Sequence, residues 1–123
     1  MYTDVDAERA YDDDRFTART VFESDRSKVV LGYFGPDQFI PVHAPASDVT
    51  VAVLEGRAAV RDGDAEHTVE PGGVVAVEAG TDRGVRAAGG DRMAALLVTA
   101  PPPTDAEHAP VRTGLREGVF DPE

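Results

Sequence analysis

At 123 residues the chain is long enough for one domain with a single core and no more. Its 41% hydrophobic and 28% charged content is ordinary for a globular protein, but 23 acidic residues against 12 basic ones give a net charge of −11, where small domains carry a magnitude of about 2–8. Such a charge repels phosphate backbones and anionic lipid, arguing against nucleic-acid and membrane partners, and no run approaches the roughly 18 apolar residues of a membrane span.

Residues 1–14 are polar, with Asp12, Asp13 and Asp14 in succession; they read as a frayed or short helical lead-in outside the core. They lack the apolar run of a secretory signal, so the expected location is the cytoplasm. From Arg15 onward the chain turns to short β-rich runs separated by turn residues. RFTARTVFE (15–23), KVVLGYF (28–34) and QFIPVH (38–43) are the first three expected strands, with Gly35-Pro36-Asp37 as a turn and Pro41 suited to an edge. DVTVAVLE (48–55) alternates, placing Val49, Val51 and Val53 on one face and Thr50 and Ala52 on the other.

After Gly56, RAAVR (57–61) and AEHTVE (65–70) flank Asp62-Gly63-Asp64, a hairpin signal. VVAVE (74–78), GVRAA (84–88) and MAALLVTA (93–100) follow, each bounded by glycine-containing turns. Eight or so short strands with no convincing amphipathic helix predict an all-β barrel or double-sheet sandwich over 15–100. Pro101, Pro102 and Pro103 end it. In the tail, 101–123, one helical turn around Val111–Leu115 before Gly118 is expected, with Val111, Leu115 and Phe120 packing back on the barrel. Tyr33, Phe34 and Phe39 suit the core, the barrel lining or a dimer face.

The chain has no cysteine, which removes disulfides and thiol catalysis. Lys28 is its single lysine. An Asp-rich, Lys-poor, Ala/Val-rich composition resembles that of proteins from salt-loving organisms; at about 1 M salt, charges are screened beyond roughly 3 Å. The alternative is an ordinary acidic protein from a high-GC genome.

Gly35–Gly56, with VLEG at 53–56, and Gly72–Arg86, preceded by EPGGVV at 70–75, resemble the two motifs of the cupins. The resemblance spans about residues 15–100 and implies a double-stranded β-helix, or jelly-roll barrel. In that family two histidines and a glutamate from the first motif join a histidine from the second around a metal. Here those positions hold His43, Pro45, Val49 and Arg83, and the second motif's proline and asparagine positions hold Glu78 and Ala87. One ligand of four remains. A divalent ion needs about three or four converging donors; Pro45 and Val49 supply none, and Arg83 brings a fixed positive charge. No metal and no other cofactor is therefore expected, unless His43 recruits Asp48, Asp82 or His67; Asp48 has the wrong strand parity to point inward.

What remains is a candidate anion site: Arg83 beside His43 as a bidentate clamp for carboxylate or phosphate, with Asp48 nearby and Val49, Val51 and Val53 as apolar wall. Against it stands Arg83 paired with Asp48 or Asp82 to fix a loop, and His43 as a packed imidazole. His67 reads as core or rim, and His108 as solvated tail. Three functions stay open: a metal-free cupin binding a small, possibly anionic molecule; a cupin-type enzyme, either a metal-dependent oxygenase or a metal-free isomerase or lyase with His43 as general base; and a non-catalytic interaction module. The resemblance also implies a homodimer.

Overall fold

A computed structural model describes residues 1–121, so the last two positions of the tail lie outside the described residues. Among the described residues nine strands form two antiparallel sheets. β1 (Thr17–Glu23), β2 (Lys28–Phe34), β4 (Asp48–Glu55), β7 (Val74–Val77) and β9 (Met93–Ala100) make one, in the order β1-β2-β9-β4-β7. β3 (Phe39–His43), β5 (Arg57–Asp62), β6 (Ala65–Val69) and β8 (Arg83–Ala88) make the other, in the order β3-β8-β5-β6. This is the expected jelly roll. β2, β4 and β9 have the bounds read from the sequence, and the other strands differ by one or two residues at an end.

Alternation builds the core. Val49, Val51 and Val53 of β4 are buried while Asp48, Thr50 and Leu54 are exposed, and the three valines meet Val60, Val85 and Ala87 of the facing sheet in one apolar cluster. Gly56 connects β4 to β5 at φ +74, and a Cβ there would lie 2.1 Å from the Arg92 carbonyl oxygen. Only glycine fits that turn.

β2 is apolar on both faces because both are covered. Phe34 faces the main cluster, whereas Leu31 and Tyr33 face outward beneath Val5 and Tyr11. The lead-in is thus tied down instead of frayed. The Tyr33 hydroxyl donates to the Val5 carbonyl at 2.7 Å, and Tyr11 meets Tyr33 edge-on at 5.6 Å. Arg9 bridges Glu55 with two hydrogen bonds, at 2.5 and 2.8 Å. Its composition suggests solvation; a few apolar side chains suffice to dock it.

The tail also carries more structure than one turn. A 3-10 turn (Ala106–His108) leads into α1 (Ala109–Glu117), closed by Gly118 at φ 70. Gly114, a poor helix former, disguises α1 in the sequence. Its missing side chain is what lets α1 seat on β3, since a Cβ at 114 would lie 2.6 Å from Pro41 Cβ. Beyond α1, the Val42 N–H donates to the Phe120 carbonyl at 2.7 Å, and Phe120 meets Phe39 edge-on at 5.7 Å. Among the described residues no helix is long and apolar enough to cross a membrane.

Candidate functional site

The two sheets and α1 enclose a cavity of about 590 Å³. Its apolar wall draws Val49, Val51 and Leu97 from the first sheet, Val60 and Val85 from the second, and Leu115 from α1. Val53, expected in that wall, lies in the core instead and does not line the cavity. His43, Pro45, Val49 and Arg83, separated by up to 40 positions in sequence, all line it.

Register explains why His43 and Arg83 are neighbours. They are directly opposed residues on β3 and β8, and a register shift between Ile40 and His43 turns the histidine to the same side as Ile40. The His43 Nδ1 lies 2.9 Å from the Pro41 carbonyl. That oxygen only accepts, so Nδ1 carries the proton in this contact, and the ring also hydrogen-bonds the Arg83 backbone. Burial pushes the imidazole below its ordinary pKa, and the nearby charge of Arg83 acts in the same direction.

Arg83 is 5% exposed and takes no part in an ion pair among the described residues. Its Nη2 donates to the Glu78 carbonyl at 2.9 Å and its Nε to the Thr81 carbonyl at 3.4 Å. Nη1 is buried with no hydrogen-bond partner. Burial pulls the guanidinium below its ordinary pKa, while the more distant Asp48, Asp62 and Glu107 oppose that shift; guanidinium remains charged in proteins regardless. The loop-fixing role read from the sequence is therefore filled by backbone carbonyls and not by Asp48 or Asp82. Two of the five guanidinium N–H donors are thereby occupied, which leaves both N–H groups of Nη1 and the second of Nη2 at the end of the fork.

Asp48 does not line the cavity; its carboxylate accepts the Ala79 N–H at 2.9 Å and so holds the segment before Arg83. His67 lies on the rim of β6, exposed, with Nε2 3.7 Å from the Asp62 carboxylate. Neither side chain joins His43 in a ligand set. Among the described residues no group of three or more His, Cys, Asp or Glu converges as a metal would need. The donors that the resemblance implies do not fit a metal here, because two of the four positions are hydrocarbon and a third is cationic.

The cavity also holds residues that the sequence reading missed. His108, expected to be solvated, is half-buried in the wall. Burial lowers its pKa, and Lys28 and Arg112 add to that shift. It is placed by Glu107, whose carboxylate accepts from the Ala46 N–H at 2.6 Å and the Thr104 N–H at 2.9 Å, tying the tail to the loop after β3. Lys28 had a legible signal: it shares the inward parity of Val30 and Phe34 on β2. Nothing local marks His108, 65 positions from His43.

Charge is distributed against the composition. Arg15, Lys28, Arg83 and Arg112 line the cavity with Asp12 as the single acidic residue, among the described residues of a chain that carries 23 acidic and 12 basic ones. Among those residues none of the four cations is in an ion pair, whereas Arg9, Arg19, Arg57, Arg61 and Arg86 all are. A low-dielectric cleft lined by one sign of charge focuses the field and concentrates ligands of the other sign.

Comparison with known proteins places these features in a family. The Cupin domain family matches residues 31–99. The TT1209 protein of Thermus thermophilus is 32% identical, with a TM-score of 0.79 over 83% of this chain and 98% of its own. An RmlC-like cupin protein from Desulfovibrio desulfuricans is 34% identical, with a TM-score of 0.71 over the same shares, 83% and 98%. An uncharacterized conserved protein with a double-stranded β-helix domain from Klebsiella pneumoniae shares the fold at 24% identity and a TM-score of 0.74, over 81% of this chain and 89% of that one. No curated protein matches the chain.

Proposed function

This chain belongs to the cupin superfamily, and we propose that it is a single-domain cupin that binds a small anionic molecule in its barrel without a metal. The observation that carries this reading is Arg83, which lines the cavity and whose buried Nη1 has no hydrogen-bond partner among the described residues. A buried charged donor without an acceptor costs about 1–3 kcal/mol or more, so a ligand oxygen at that atom recovers a deficit already present in the free protein. Arg83 stands at one of the three altered metal positions, so a guanidinium supplies positive charge where relatives in the family place a cation. Val49 and Val51 give the ligand an apolar wall, and His43 faces the same space.

The test is a titration with benzoate, followed by the amide resonances of β3 and β8. A saturable shift centred on His43, Gly84 and Val85, weakened at least about tenfold by Arg83→Gln, supports the reading. Shifts that do not saturate, or that survive the substitution unchanged, refute it.

One observation favours a catalytic variant of this reading. His43 lines the cavity with its imidazole kept neutral by burial, the state of a general base. A metal-free isomerase or lyase would use it to take a proton from carbon beside the bound carboxylate. Exchange of the α-hydrogens of a bound carboxylic acid in D₂O, abolished by His43→Gln with the fold retained, is the outcome this variant requires.

A further inference from the structure

Resting on the anion-binding reading, we infer that the ligand is an apolar monocarboxylate, a medium-chain or aryl-alkyl acid, and not a sugar acid or a phosphate ester. The first ground is donor count. Arg83 has its Nε and one N–H of Nη2 held by the Thr81 and Glu78 carbonyls, which leaves three N–H donors at the Nη1 end of the fork. A carboxylate has two oxygens; one accepts from Nη1 and the other faces His43, its cross-strand neighbour. A phosphate or phosphate ester carries up to three charged oxygens, and at this depth the surplus acceptors would exchange water for hydrocarbon.

The second ground is the wall itself. Valine, leucine, isoleucine and phenylalanine are the largest group of side chains on the wall, Thr17 and Thr99 supply its hydroxyls, and the other polar groups are the charged and imidazole side chains already named. A sugar carries a hydroxyl on most of its carbons, and each one set against the valine and leucine wall would lose a water partner without finding another, at about 1–3 kcal/mol apiece. An alkyl chain or phenyl ring gains on burial at every carbon. Phe16 lines the space with one ring face stacked on Phe34 at 5.3 Å, while Tyr33, Phe34 and Phe39 are buried in the core or covered by the tail and do not line it.

The third ground is where the remaining charges sit. Arg15, Lys28 and Arg112 line the same cavity as Arg83 and His108, and Lys28 and Arg112 both act on the His108 imidazole. They steer an anion inward over the range of the unscreened field. A single buried head group with a charged approach and a hydrocarbon body describes an amphiphilic acid.

The experiment is calorimetric titration of the full chain with butanoate, hexanoate, octanoate, octanol, glucuronate and inorganic phosphate, on the wild type and on Arg83→Gln. The expected result is affinity rising about fourfold for each added methylene along the acids, a loss of roughly ten- to a hundredfold in Arg83→Gln, and glucuronate and phosphate weaker than hexanoate. Glucuronate or phosphate binding as tightly as octanoate, with the loss in Arg83→Gln retained, overturns the apolar class and leaves the anion site standing. Octanol matching octanoate, with no effect of Arg83→Gln, overturns the anion site as well, as does the failure of every probe to bind. Should Arg83→Gln not fold, Val49→Thr gives a second readout: a hydroxyl in the wall weakens octanoate more than butanoate, and an unchanged chain-length slope counts against the proposal.

Discussion

Arg83 and Arg86 stand three residues apart on one strand and live in opposite surroundings. Arg86 points outward, is met by Glu66 at 3.0 Å and lies over the Phe120 ring at 4.9 Å. Arg83 points inward, is 5% exposed, and meets only two carbonyl oxygens. Elsewhere on the exterior, arginines draw partners from the surplus of acid, as with Arg57 and Glu70 or Arg61 and Asp121. In a chain with nearly two acids for each base, an unmatched inward-facing cation is the departure from expectation. Exterior pairs are screened and worth about 0.2–1 kcal/mol. The interior cation is dehydrated and unneutralised, a state that natural proteins keep where function uses it.

The strongest way to break that contrast is to rebuild what the family has at the same place. Because His43, Pro45, Val49 and Arg83 line one cavity, the combined variant P45H/V49E/R83H is expected to take up about one divalent ion per chain, measured by metal analysis after dialysis. Uptake no higher than in the wild type means that the four positions do not converge as the cavity implies.

Next in size is the paired removal of each arginine. Arg83→Met is expected to cost anion affinity at least about tenfold while changing unfolding free energy by less than about 1 kcal/mol, because deletion of a dehydrated charge offsets the loss of two carbonyl contacts. Arg86→Met is expected to do the reverse: an effect under about 1 kcal/mol on stability and less than about twofold on binding. Urea titration measures the first quantity and calorimetry the second. A collapse of stability in Arg83→Met assigns Arg83 to the architecture of the loop.

A smaller effect follows from the imidazoles. His43 and His108 have pKa values lowered in the folded chain, chiefly by burial. The unfolded chain therefore binds more protons over the interval between the folded pKa values and about 6.5, so stability is fully present above about 6.5 and is lost as pH falls through the folded values. His43→Gln flattens part of that slope. A bound carboxylate favours the imidazolium, so affinity is expected to tighten as pH drops from about 7 toward 6, with proton uptake on binding. Identical heats in buffers of different ionisation enthalpy would count against this linkage.

Smallest is salt. With a net charge of −11, stability is expected to rise from low to molar salt as self-repulsion is screened, while anion affinity falls over the same range. A flat stability curve removes the argument for a salt-adapted surface.

Much of the fold was legible in the chain because the β signal is local. Val49, Val51 and Val53 alternate, Gly56 and Gly63 mark turns, and β2, β4 and β9 begin and end where the pattern does. Where local signals mislead, tertiary contact is the reason. Gly114 weakens α1 as a helix yet is required by Pro41, and Val5 and Tyr11 look like isolated apolar residues until Leu31 and Tyr33 are found beneath them. For the site, the sequence determined the residues at the altered positions and the loss of metal donors, because side-chain chemistry is fixed by identity alone; that His43 and Arg83 are neighbours was implied by the family resemblance and is realised by strand register. It could not determine which edge of Arg83 stays free, or that Lys28, Arg112 and His108 share its cavity. Those facts depend on strand register and on where a tail docks about 60 residues downstream, and such placement is set by packing among distant segments that no local pattern records.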